Sequence, residues 1–237
     1  CAIQGFHLSF RYHKAAPLVL DHISIDIPKG KITAIAGLSG SGKSTLLHAL
    51  CGVIPHGISG VLDGEVRIGE ADTRSLTLPL IARKVGLVFQ NVDNQLFLTT
   101  VEEELAFGPE NFGMERFRIR ETVDRVLKSL NIEHLRDRNP ATLSGGEKRI
   151  AAIGTVLSLD PEVIALDEPF SELDGRNRLQ LRRLIMQLKA AGKTVVFAEH
   201  SLEALGCADV LYILSEGKII ERLGGEGIHA VLQCGFR

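Results

Sequence analysis

Lys31-Ile-Thr-Ala-Ile-Ala36, running directly into Gly37-Leu-Ser39-Gly40-Ser41-Gly42-Lys43-Ser44, is the stretch that decides the fold. The first six residues make a short apolar run of strand length, the next eight match G-x-x-x-x-G-K-[ST], and Lys43 to Cys51 has helical character. Strand, glycine loop and helix, in that order, are the setting in which this motif carries chemistry. Gly37, Gly40 and Gly42 let backbone N–H groups converge on phosphates, and the helix N-terminus adds a favourable dipole. Lys43 is then placed to reach the β and γ phosphates, and Ser44 to supply a hydroxyl to Mg²⁺. Ser39, Ser41 and Thr45 belong to the same candidate nucleotide site.

Working outward, Ile3, Phe6, Leu8 and Phe10, followed by Val19, Leu20, Ile23, Ile25 and Ile27, read as two strands of a half-buried antiparallel sheet. Gly60 to Gly69 reads as a further hairpin, and Val85 to Phe89 as an apolar strand ending at Gln90. From Thr100 to about Leu157 the spacing turns helical, as in Val123, Val126, Leu127 and Leu130, with breaks at Gly113 and Pro140. Val163 to Leu166 and Thr194 to Ala198 are continuous apolar runs separated by an amphipathic helix around Leu179 to Lys189, the pattern of buried parallel strands joined by a crossover helix. The expected architecture is an α/β P-loop NTPase core with a mainly parallel sheet, an N-terminal antiparallel β-subdomain and an inserted α-helical subdomain. Residues 1–90 and 160–237 form the core and about 91–159 the helical lobe, within a single domain.

Composition narrows the partners. Twenty-seven Lys and Arg against 29 Asp and Glu leave a net charge of −2, so no global field draws the chain to nucleic acid or anionic lipid. Cys1, Cys51, Cys207 and Cys234 show neither a CxxC pair nor metal-ligand spacing and read as structural fillers in a reducing compartment. No apolar run approaches the roughly 18 residues of a membrane helix; the richest, Ile150 to Leu166, is broken by Asp160 and Pro161. The first residue is Cys1 with no signal-peptide pattern behind it, which suggests a piece of a longer chain.

A second constellation is Val163-Ile-Ala-Leu-Asp167-Glu168, an apolar strand that delivers two carboxylates at its C-terminal end. Asp167 is placed to hold Mg²⁺ through its water shell. Glu168, one step on and expected on the opposite side of the pleat, is placed to orient or deprotonate an attacking water.

Leu143-Ser144-Gly145-Gly146-Glu147, some twenty residues before Asp167, resembles the signature motif of ATP-binding cassettes. The same five residues also read as a capping box, with Ser144 as N-cap and Glu147 at N3. The resemblance implies that Ser144 and the Gly145 and Gly146 amides contact the γ-phosphate of ATP held by a partner domain, which requires a dimer. It further implies an adenine-stacking role for Tyr12, a Q-loop role near Mg²⁺ for Gln90, a D-loop over Ser171 to Asp174, and a switch role for His200. The resulting catalytic set is Glu168, His200 and Lys43. Nucleotide contacts come from Tyr12, the P-loop with Thr45, Gln90 and the signature, and metal contacts from Ser44, Gln90 and Asp167. The chain departs from the family pattern at Ser39, Glu147 and Glu172, and none of the three removes a catalytic group.

Between Gln90 and the signature, Gln90-Asn-Val-Asp-Asn-Gln95 and Thr100-Val-Glu-Glu-Glu-Leu-Ala-Phe-Gly-Pro-Glu-Asn111 resemble the ATPase subunits of energy-coupling-factor transporters, with Val92 where that family usually has Pro. This implies a subunit at the cytoplasmic face of the membrane that powers uptake of a vitamin or transition-metal ion. Its partners would be a second cassette, a transmembrane coupling subunit and a small substrate-binding membrane component, with no nucleic acid. Phe97, Leu98, Phe107 and Phe112 are the expected apolar wall of a groove for a coupling helix. The alternative is a soluble, non-transport cassette acting on ribosomes or nucleic acid. The charged interdomain linker and the sustained heptads such proteins carry are not visible here.

Overall fold

The computed structural model describes residues 1–171 and 173–234. In chain order the elements are β1 (Ile3–Arg11), β2 (Leu20–Ile27), β3 (Ile32–Ala36), α1 (Lys43–Leu50), α2 (Val53–His56), β4 (Val61–Ile68), β5 (Ala71–Asp72), α3 (Leu78–Ala82) and β6 (Val85–Val88). They continue with α4 (Val101–Asn111), α5 (Arg116–Leu130), α6 (Gly145–Leu157), β7 (Val163–Asp167), α7 (Gly175–Ala190), β8 (Thr194–Glu199), α8 (Leu202–Leu205), β9 (Val210–Ser215), β10 (Lys218–Gly224) and α9 (Glu226–Cys234). The strands form two sheets, one ordered β2-β1-β4-β5 and antiparallel, the other β10-β9-β3-β8-β7-β6 and parallel except at its β10 edge. This is the α/β arrangement expected from the sequence.

The five-residue runs Ile32–Ala36 and Val163–Asp167 are buried on both faces, and apolar except for Thr33 and the terminal Asp167, because the large sheet is covered on both sides. On one side α1 lies between the sheets, its Leu46, Leu47 and Leu50 packed with Ile3, Leu8 and Phe10 of the antiparallel sheet and Ala165 and Val196 of the large one. Each such buried Leu contributes about 1.5–3 kcal/mol, which fixes the helix whose N-terminus receives the glycine loop. On the other side α4, α5 and α6 pack on one another and share a second apolar cluster with Ile164, Leu166 and Phe197.

Three local readings need correction. Residues 60–69 do not make a hairpin; Val61–Ile68 within them is the single strand β4, paired along β1 and then with the short β5. Gly64 is not in a turn but lies opposite a bulge in β1, where His7 and Leu8 face it together: its φ is 91°, and a Cβ there would sit 2.5 Å from Phe6 O and 2.6 Å from His7 O. The same irregularity breaks the alternation of β1. Ile3 is buried, the register shifts between Phe6 and Ser9, and Leu8 and Phe10 become the inward residues while Phe6 is left 36 % exposed. Cys51 and Cys207 are buried as fillers, but Cys1 is exposed with its Sγ near Asp26, and the Cys234 side chain lies outside what is described.

Candidate functional site

Four neighbouring parallel strands, in the order β6, β7, β8, β3, end on one edge of the large sheet. Their C-terminal ends deliver Gln90, Asp167 with Glu168, Glu199 with His200, and the glycine loop. That edge is where α/β sheets place their ligand sites.

The loop itself is shaped by close backbone approach. Gly40 and Gly42 have φ of 79° and 101°. A Cβ on Gly37 would lie 2.2 Å from Leu214 O, and one on Gly42 2.8 Å from Val19 O. The β9–β10 turn braces the loop from behind through Gly217 N, which donates to Ser41 O at 3.1 Å. Helix α1 starts at Gly42 with no side-chain cap and no acidic residue in its first turn, so its first amides stay available to an anion. Lys43 is 4 % exposed and its Nζ donates to Leu38 O at 2.9 Å, while the buried Ser41 Oγ has no hydrogen-bond partner. Tyr12 Oη lies 3.1 Å from Thr45 Oγ1, its ring edge-on to Phe10 and 42 % exposed, which holds an accessible aromatic surface beside α1.

Ser44 Oγ donates to Asp167 Oδ1 at 2.9 Å. Burial pushes the Asp167 carboxyl up to about 6, Glu168 adds to the rise, and the Ser44 hydrogen bond and the Lys43 and Arg149 charges act against it. A buried acid so destabilised in its charged form is relieved by a cation. With the partnerless Ser41 hydroxyl and the open loop amides, this set of hard oxygen donors fits a phosphate chain carrying Mg²⁺.

Glu168 does not continue the pleat of β7, as the sequence suggested. The strand stops at Asp167, and Glu168 takes φ 44° while its N–H donates to Ala198 O at 3.0 Å. This turn presents the carboxyl to Gln90, whose Nε2 donates to Glu168 Oε2 at 2.8 Å. His200 Nδ1 lies 3.8 Å from the same oxygen. Gln90 therefore meets the carboxylate directly, in addition to the metal-side role expected for it.

The signature residues lie elsewhere. Ser144 caps α6 and completes the capping box with Glu147, whose carboxyl is held low chiefly by its hydrogen bonds from Ser144. Ser144 and Gly146 line a cavity of about 720 Å³ together with Asn131, His134, Asp174 and Arg183, and no residue from 37–45 lines it. A Cβ on Gly146 would meet the Asn177 side chain at 2.5 Å, whereas one on Gly145 would meet nothing. Arg149 on the same helix donates to Phe89 O at 3.4 Å and Lys148 Nζ to Asp93 Oδ1 at 2.6 Å, so the signature helix grips both flanks of Gln90. Ser171, Leu173 and Asp174 lead into α7, with Asp174 as its N-cap; Glu172 lies outside the described residues.

Sequence reasoning missed two residues. His48 Nε2 lies 3.5 Å from Asp167 Oδ2, close but not hydrogen-bonded, and burial lowers the basicity of its ring. Its spacing of four from Ser44 on one helix face was the available signal. Glu199 was the other, marked only as an acid at the end of an apolar strand.

The family model described as ABC transporter matches residues 20–171. A Pyrococcus horikoshii protein, provisionally named an ABC transporter ATP-binding protein, is 41 % identical over 215 residues, covering 90 % of this chain and 76 % of its own length. A similarly named protein of Caldanaerobacter subterraneus subsp. tengcongensis is 39 % identical over 216 residues, and there the match covers 90 % of this chain but only 38 % of the relative. Among solved structures, cbiO1 from Clostridium perfringens, described as part of the ABC transporter complex cbiONQ, superposes with a TM-score of 0.86 at 29 % identity, covering 97 % of this chain and 90 % of that one. The dimeric ATP-binding cassette MJ0796, in a post-hydrolysis state bound to ADP and Pi, gives 0.81 at 25 % identity over 94 % and 98 % of the two chains. The chain belongs to the ABC transporter family of ATP-binding cassettes.

Proposed function

We propose that this chain is the ATP-hydrolysing subunit of an energy-coupling-factor-type importer, held at the cytoplasmic face of the membrane by a transmembrane partner. The observation that carries the transport reading is an apolar groove of about 410 Å³ lined by Leu78, Phe97, Phe107, Phe112 and Leu159. Phe97 and Phe107 stand edge-to-face at 5.0 Å and remain 63 % and 43 % exposed. Leu98, expected in the same wall, instead offers its backbone N–H to the buried Glu104 carboxyl. The groove is tied to the nucleotide edge by Gln95, which accepts from Phe89 N at 3.1 Å and donates to Leu87 O at 3.3 Å. A coupling helix seated there would feel any movement of Gln90, with residues 91–159 acting as the helical lobe. No helix among the described residues is long and apolar enough to cross a membrane. The likeness to cbiO1 of the cbiONQ complex supports the same reading.

In this reading ATP is held by the P-loop amides, Lys43 and the accessible face of Tyr12. Mg²⁺, held by Ser44 and Asp167 with Gln90 nearby, would neutralise charge developing on the phosphates. Ser144 and Gly146 serve the ATP of a second cassette, which accords with their separation from this chain's own P-loop. Glu168, oriented by Gln90, accepts a proton from the attacking water, and His200 completes the site. Loss of the γ-phosphate contacts then reopens the pair.

The test is a mild-detergent purification of the tagged protein from its host's membranes, with co-purifying chains identified by mass spectrometry. A multi-helix coupling subunit and a small membrane-embedded binding component are expected. Ribosomal proteins in their place would remove the transport reading and leave the ATPase.

A further inference from the structure

Glu199 is 0 % exposed, yet it is an acid at the end of an apolar strand. An isolated carboxyl in such a place is costly unless its oxygens are saturated with donors. Here they are. One oxygen, Oε1, accepts from His200 N at 2.8 Å and Ser201 N at 3.2 Å, and lies 3.2 Å from His200 Nδ1. The other, Oε2, accepts from Phe170 N at 3.2 Å. Phe170 is three residues past Asp167, its ring packs edge-on against Phe197 of β8 at 6.0 Å, and it opens the segment that leads to Asp174. One buried carboxyl thus holds two functional segments, the His200 turn by one oxygen and the start of the loop after Glu168 by the other.

We propose that Glu199 is a positioning residue for ATP hydrolysis, fixing the His200 ring with its proton on Nδ1 and locking that ring in register with the Phe170 segment. The inference rests on the ATPase reading above. His200 is 52 % exposed, so packing alone does not orient the ring. Neither Glu199 at 3.2 Å nor Glu168 at 3.8 Å is in hydrogen-bonding line with Nδ1 as the ring stands, and a small rotation of the ring brings its N–H onto Glu199, the nearer acceptor. Once Nδ1–H engages Glu199, Nε2 is the ring nitrogen left free for another partner. The two oxygens also separate the two duties: an amide at position 199 can still accept through its oxygen from His200, but its NH₂ would face the Phe170 N–H, donor against donor.

The experiment is a long-range ¹H–¹⁵N correlation of the histidine rings in the full chain at about pH 9, where an ordinary imidazole is neutral, with His200 assigned by its loss in His200→Ala. The same preparations give kcat and KM for ATP. Wild type is expected to carry the His200 proton on Nδ1. Glu199→Gln is expected to keep that tautomer and lose about 10-fold in kcat; Glu199→Leu is expected to lose the tautomer and about 100-fold or more in kcat, with KM changed less than about 3-fold. A general loss of folding would lower kcat with the active fraction and leave the tautomer of the folded molecules unchanged. If Glu199→Leu does not fold, wild type and Glu199→Gln still decide the matter. A lone proton on Nε2 in wild type, or a wild-type kcat in Glu199→Gln, overturns the proposal. Absence of ATP hydrolysis by wild type itself would instead fail the ATPase reading, and the tautomer result would stand apart from it.

Discussion

Glu168→Gln isolates the proton-accepting step. Glu168 is 13 % exposed, and its Oε2 receives the Gln90 amide at 2.8 Å. A glutamine of the same length can turn its oxygen to Gln90 and keep that contact, so the site's shape survives while the carboxylate does not. Neither the loop amides nor Lys43 touches position 168, so the affinity for Mg·ATP should be unchanged. Removing a positioned general base costs about 10² to 10⁴ in turnover, or about 2.7–5.4 kcal/mol in the barrier. Steady-state phosphate release, nucleotide titration and thermal melting on one preparation make the assay. Tm should hold within about 2 °C, since a surviving contact changes stability by no more than about 0.5 kcal/mol. In the presence of Mg·ATP the variant should accumulate as a dimer in size-exclusion chromatography, because the reset step is blocked. Turnover at the wild-type rate would refute the assignment of the base, whatever became of the rest of the site.

Further expectations follow from the same geometry. Lys43→Ala should weaken ATP binding about 10- to 150-fold, the equivalent of one charge-assisted hydrogen bond of about 1.5–3 kcal/mol; unchanged affinity in calorimetric titration would argue against the loop as the phosphate site. Asp167 sits at about 6 when folded against 3.8 for an ordinary Asp, so between those values the folded chain holds a proton that the unfolded chain has lost. This residue's contribution to stability therefore falls as pH rises from about 4 to 6 and stays low above that, a penalty on the order of 3 kcal/mol. Asp167→Asn should accordingly raise Tm by several degrees at pH 7.5 and give no gain at pH 4, while abolishing turnover; a lower Tm at pH 7.5 would contradict the origin assigned to the shift. Gly64→Ala must place a Cβ at φ 91° within 2.5 Å of Phe6 O, which should cost about 2 kcal/mol or more and lower Tm by roughly 4–8 °C, a loss that a wild-type melt would disprove.

Much of the molecule is written in local pattern. The strand, glycine loop and helix from Lys31 to Cys51 were legible because glycine spacing and hydrophobic period depend only on near neighbours. The same holds for the capping box at Ser144 and for the buried runs that became β7 and β8. Tertiary structure decided what near neighbours cannot encode. The sheet order places β8 between β3 and β7, so that residues separated by more than a hundred positions meet on one edge. Gly60 to Gly69 looked like a hairpin because a glycine among alternating residues reads as a turn; only the pairing with β1 shows that Gly64 accommodates the bulge of the facing strand. Glu168 looked like the next step of a pleat until its backbone turned to φ 44° and faced Gln90. Glu199 was an unremarked neighbour of His200 until the approach of Phe170 N gave its second oxygen a donor from another strand's loop. In each case the deciding contact joins groups distant in sequence, and its energy depends on distance and burial, which exist only once the chain has folded.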